Sequence, residues 1–152
     1  MHRTLERLAK IALMFWAIGT WLTGYVFAPV MFAHFDKVQA GLNVGQLLHA
    51  VYVMSLVCAV VLLIDFRVRF KQQLLHLTDL WLSLGALFIV IIQYVGISPK
   101  MLTLKQTMLV NPADASAFMQ WHGVSQVLYL VTSVLLAVRF GADCSNHFKG
   151  FA

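Results

Sequence analysis

Two methionine–histidine pairs carry the most specific chemistry that the residue types of this chain allow. Met31-x-x-His34 and Met119-x-x-His122 each place a thioether and an imidazole on one helix face, provided the helix continues there. With His49, both pairs fall at the same predicted end of the molecule. Soft thioether and imidazole ligands suit Cu(I), and two histidines from different helices can ligate haem. One functional alternative is therefore an outward-facing copper- or haem-binding membrane protein using His34, His49 and His122. His76 reads as an interfacial residue, and His2 and His147 lie in the tails. No nucleophile motif, phosphate loop, H-E-x-x-H or C-x-x-C occurs, so no catalytic residue is assigned. Cys58 reads as a small buried hydrophobe and Cys144 as a free tail thiol.

A second set of residues is polar but unreactive, and recurs at helical spacing inside apolar segments. In the fourth segment His122, Ser125, Gln126, Tyr129 and Ser133 share a face, and in the third Asp79, Ser83 and Gln93 do so. Thr20, Thr23 and Gly24 form a small polar patch in the first, and Tyr52, Ser55 and Ala59 a stripe in the second. Polar groups inside a membrane turn toward the bundle. These stripes either tie helices together by hydrogen bonds or line a polar cavity that opens near Gln93 and His122.

The elements that position them follow from composition. Of 152 residues, 61% are hydrophobic and 11% charged, against about 45–50% and 25% in soluble domains. A spanning helix needs about 20 apolar residues, because the hydrocarbon core is roughly 30 Å thick and each residue rises 1.5 Å. Four stretches qualify, at about 11–32, 47–64, 74–95 and 121–139. The fold class is all-α: an integral membrane four-helix bundle forming one domain over residues 1–152, with no internal repeat visible. The first stretch is longer than a signal-peptide core and reads as a retained span.

Basic residues orient the spans. Arg3, Arg7, Lys10, Arg67, Arg69, Lys71, Arg139 and Lys149 fall on one side, and Lys37, Lys100 and Lys105 on the other. Both termini are expected in the cytoplasm, which makes this a multi-pass protein of the bacterial inner membrane. The net charge of +5 is thereby a topology signal and not a nucleic-acid footprint. Trp16 and Trp81 are expected at the inner interface, Tyr94 and Trp121 at the outer one. Asp79, on the same predicted side as Arg67, Arg69 and Lys71, is expected to form an ion pair or to snorkel, and Asp65 to pair with Arg69. Gly41, Asn43 and Gly45 mark a turn after helix one. Asn111-Pro112 reads as an N-cap and first-turn proline. Residues 99–110 form either an interfacial helix or an outward extension of helix three.

Several features come in a recognisable order: Ala28-Pro29-x-x-Phe32, Ala40-Gly41 with Gly45, Pro99-Lys100, and Phe118-x-x-x-His122-Gly123-x-Ser125. In this the chain resembles the transmembrane-protein-205-like family, small four-helix membrane proteins found in bacteria as a domain of unknown function. The resemblance marks Pro29, Phe32, Pro99, His122 and Ser125 as motif positions without roles, and implies a bundle but no activity. The leading expectation is a non-enzymatic membrane component, small-solute or stress-related. It would need no cofactor and would sit in the lipid bilayer as a homo-oligomer or as a subunit of a membrane complex.

Overall fold

The computed structural model describes residues 2–70, 78–107 and 111–149, and all of its regular elements there are helical. They assemble into four long helices. The first, α1, runs His2–Trp21, widens into a π-helical turn at Leu22–Phe27 and finishes as Ala28–His34. The second, α2, is the unbroken Lys37–Phe70. The third, α3, repeats the plan of α1: Thr78–Ile91, a π-helical turn at Ile92–Ile97, then Ser98–Thr107. The fourth, α4, is Pro112–Lys149. Each helix packs on its neighbours in sequence, and α1 closes on α4. All four contain a stretch long and apolar enough to cross a membrane.

The two π-helical turns have a common cause. A proline within a helix lacks an N–H and its ring collides with the carbonyl four residues back. Pro29 and Pro99 each sit just beyond a turn that has taken up one extra residue, which relieves that collision. The last donor before each proline reaches five residues back: the Ala28 N–H bonds the Thr23 carbonyl, and the Ser98 N–H bonds the Gln93 carbonyl. Neither proline ends its helix, so residues 99–107 extend helix three, one of the two forms open to them from sequence.

The turn after helix one lies earlier than its glycines suggest. Phe35 is extended (φ −121°, ψ 159°). Asp36 then caps α2, its carboxylate accepting from the N–H groups of Val38 and Gln39 at 3.0 Å each. Gly41, Asn43 and Gly45 are consequently helical, not a turn. Gly41 instead gives room to Lys105 of α3, whose Nζ would lie 3.1 Å from any Cβ there. At the head of α4, the Asn111 side chain accepts from the Ala113 N–H at 3.1 Å, as an N-cap should.

The two halves of the chain repeat one hairpin. Leu13, Trp16, Thr20 and Thr23 are the buried face of α1; at matching positions of α3, Ser83, Ala86, Val90 and Gln93 are buried. Tyr52, Ser55, Ala59 and Leu62 of α2 correspond to Tyr129, Thr132, Leu136 and Arg139 of α4. Ser55 and Thr132 even make the same bond, each hydroxyl donating to the carbonyl one turn back, at 2.7 and 3.0 Å. This repeat is invisible in the letters, because the matched side chains share depth and direction but not chemistry.

The exterior is apolar, unlike that of a soluble protein, and the core holds polar groups beside its apolar ones. Phe15, Val57, Phe88, Val95 and Val127 are each more than 60% exposed, while Thr20, Thr23, Ser55, Asp65, Gln93, Thr132 and Arg139 are buried. Such a surface suits lipid contact and not water. Trp16 departs from its expected interfacial place: it is fully buried in the core with Leu13, Ala17 and Leu62. Trp81 is 57% exposed. Lys71 and His76 lie outside the described residues, as do the side chains of His2, Cys144, His147 and Lys149.

Candidate functional site

Two polar clusters lie at different depths of the bundle. The first lies at the end carrying the chain termini and is ionic. Glu6 pairs with Lys10 at 3.0 Å within α1 and approaches Arg69 of α2 at 3.9 Å. Arg69 also donates to Asp65 through Nε at 2.9 Å, the pairing its spacing implies. The Lys10 hydrogen bond, then the Lys10 charge, hold the Glu6 carboxyl below its ordinary range.

Asp79 takes the ion-pair form, with a partner that, among the described residues, lies away from the end of α2. Its partner is Arg139 of α4, at 3.7 Å, with Asp143 at 3.9 Å on the other side. The Arg139 guanidinium lies 5.7 Å from the Phe66 ring centre. It is 5% exposed, and its Nε and Nη1 make no hydrogen bond. The pairing has a geometric cause: α3 and α4 pack along their length, which sequence distance conceals.

The second cluster is neutral and lies at the two π-helical turns. Gln93 is the second residue of the turn in α3 and is 1% exposed. Its Oε1 accepts from the Tyr52 hydroxyl of α2 and the Ser125 hydroxyl of α4, each at 2.9 Å. One turn along α4, the Tyr129 hydroxyl donates to the Thr20 carbonyl of α1, just before the matching turn. The Tyr129 ring covers Gly24 so closely that its Cζ would stand 2.9 Å from a Cβ there, and it meets Tyr25 edge-on. Trp21 Nε1 donates to the Ser133 carbonyl at 3.4 Å. Each π-helical turn thus receives a tyrosine, from α2 in one half and from α4 in the other.

Gln93 Nε2 is sealed from the surface and has no hydrogen-bond partner. A buried unpaired donor costs about 1–3 kcal/mol. A group that persists at such cost invites a functional explanation.

Of the residues placed on the polar face from sequence, Gln93, Ser125 and Tyr129 come together here. Gln126 does not: it is exposed and contacts His122, Nε2 to Nε2, at 3.1 Å. His122 also stacks on Phe118, ring centres 5.9 Å apart. Tyr52 and Thr20, placed on separate stripes from sequence, belong to this cluster. Thr132, absent from any stripe, is buried below it. Its signal is the Tyr129-x-x-Thr132 spacing that echoes Tyr52-x-x-Ser55.

Each of the three candidate metal ligands has contacts of its own. His34 is exposed and its Nδ1 contacts the Val30 carbonyl at 3.0 Å. His49 packs on Tyr94 with ring centres 5.1 Å apart, and His122 has the neighbours just given. Among the described residues, no three His, Cys, Asp or Glu side chains form a group able to hold a metal ion. Of the motif positions, Phe32 is exposed, while Pro29 and Pro99 act on the backbone as described. Lys100, beside Pro99, lies 3.9 Å over the Trp121 ring, a cation–π contact joining α3 to α4.

Residues 11–110 match the family described as Domain of unknown function (DUF4149). No curated protein and no solved structure matches the chain.

Proposed function

Since this chain belongs to the DUF4149 family, whose description assigns no activity, we propose that its role follows from its architecture. It is a non-enzymatic, multi-pass component of the bacterial inner membrane with both termini in the cytoplasm. It handles a small solute within the bundle, as a homo-oligomer or as a subunit of a larger membrane complex. The observation that carries this reading is the placement of polarity. Neutral hydrogen-bonding groups converge at Gln93 in the core, while the outer surface is apolar.

The orientation is supported by basic residues. Arg3, Arg7, Lys10, Arg67, Arg69 and Arg139 gather at the end carrying the termini; Lys37, Lys100 and Lys105 lie at the other. The resemblance to transmembrane-protein-205-like proteins supports the same single-domain bundle and adds no activity. Reporter fusions test the proposal. A reporter joined after residue 149 should report the cytoplasm, and one inserted at 108–110 the opposite side. A cytoplasmic signal from 108–110 overturns the orientation. Light scattering of the purified protein, corrected for detergent, then reads the oligomeric state.

A further inference from the structure

We infer that the Gln93 junction is a binding site for one small neutral hydroxylic molecule, water or a small polyol. Gln93 Nε2 is a donor without an acceptor, in a residue 1% exposed. Around it converge the Tyr52 and Ser125 hydroxyls, both donating to the other end of the same amide. Each hydroxyl retains acceptor lone pairs. A guest that accepts from Nε2 and donates to these oxygens finds the two to four polar partners that a buried water needs.

The chemistry of the guest follows from the amide. Exchanging its oxygen and nitrogen positions still leaves one end unpaired, and only reverses that end from donor to acceptor. A hydroxyl group serves both cases, because it donates and accepts. Charge is excluded by the surroundings: Gln93, Tyr52, Ser125, Thr20 and Thr23 are neutral, whereas Asp65, Asp79 and Arg139 belong to the ionic cluster at the end carrying the termini. An ion would enter with no countercharge.

Placement in the fold agrees. The junction lies where the two repeated hairpins meet, beside a π-helical turn whose following proline withholds an N–H from the helix ladder. Ser125 and Tyr129, one turn apart on α4, connect it to both π-helical turns. Interrupted helices at matching positions of two repeats are where membrane proteins build solute sites.

This inference rests on the reading of the chain as a solute-handling bundle, and its test is independent of topology. Nuclear Overhauser spectra of the 15N-labelled protein in detergent micelles read what lies against the Gln93 side-chain amide. That signal is assigned by its loss in Gln93→Leu or, should that variant fail to fold, by its shift in Tyr52→Phe. A dipolar cross-peak to water in the rotating-frame spectrum, where it is opposite in sign to chemical exchange, identifies water as the guest. A cross-peak to glycerol methine or methylene protons on adding glycerol identifies a polyol. Contacts to protein protons alone, in both buffers, overturn the inference and leave the fusion-based topology standing.

Discussion

Replacing Gly24 by alanine tests whether the contact between α1 and α4 is as close as the packing shows. The new Cβ would stand 2.9 Å from Tyr129 Cζ and 3.0 Å from its hydroxyl oxygen, well inside ordinary contact. Both backbones are helical and held by neighbours, so the ring must yield. Its hydroxyl then loses the Thr20 carbonyl, worth about 0.6–2 kcal/mol between membrane helices. Overpacking adds about 1–3 kcal/mol, so Gly24→Ala should destabilise the bundle by about 2–4 kcal/mol. Unfolding in mixed micelles by titration with a denaturing detergent, followed by tryptophan fluorescence, measures this. The decisive comparison is a double-mutant cycle with Tyr129→Ala. Without the ring, Gly24→Ala should cost under about 0.5 kcal/mol, giving a coupling energy of at least about 1.5 kcal/mol. Additive effects would refute the reasoning, because they would place the cost of the methyl group somewhere other than Tyr129.

Arg139→Met should lower stability by about 1–3 kcal/mol. This is less than for a fully buried pair because the Asp79 side chain keeps 31% of its exposure. Asp79→Asn combined with Arg139→Met should recover part of that loss in the same unfolding assay. Asp36→Ala should cost about 1 kcal/mol by removing the two bonds that cap α2, read as a fall in Tm. The lowered Glu6 pKa also predicts a pH dependence. Its contribution to stability is fully present above the ordinary carboxylate value of 4.5 and is lost as pH falls through the lower folded value. Glu6→Gln should therefore flatten the acid limb of the stability profile without altering it at neutral pH beyond a small offset. An unchanged acid limb would show that the Lys10 contact does not persist in solution.

Much of the architecture is written in composition. Four apolar runs of spanning length must become helices, because a bilayer core supplies no water for unpaired backbone groups. Asn111 before Pro112 announced the head of α4 by its own side-chain chemistry, and Asp65 its bond to Arg69 one turn away. These features are local, and local features survive in one dimension. Asp36 was equally local, yet it was eclipsed by the glycines that follow; they look like a turn but are helical, and Gly41 leaves space for Lys105.

What the tertiary structure decided is which stripe meets which. Helical spacing places Gln93, Ser125 and Tyr52 on faces of three different helices, and no period in the sequence says that the faces converge on one amide. The partner of Asp79, the burial of Trp16, the outward turn of Gln126 and the neighbours of His34, His49 and His122 all depend on the rotation of each helix about its axis. The π-helical turns set part of that rotation, since each extra residue in a turn shifts the phase of everything beyond it. Spans are determined by the free energy of transferring residues into lipid, which sums along the chain. Contacts between spans are determined by the fit of surfaces, which exists only once the helices stand side by side.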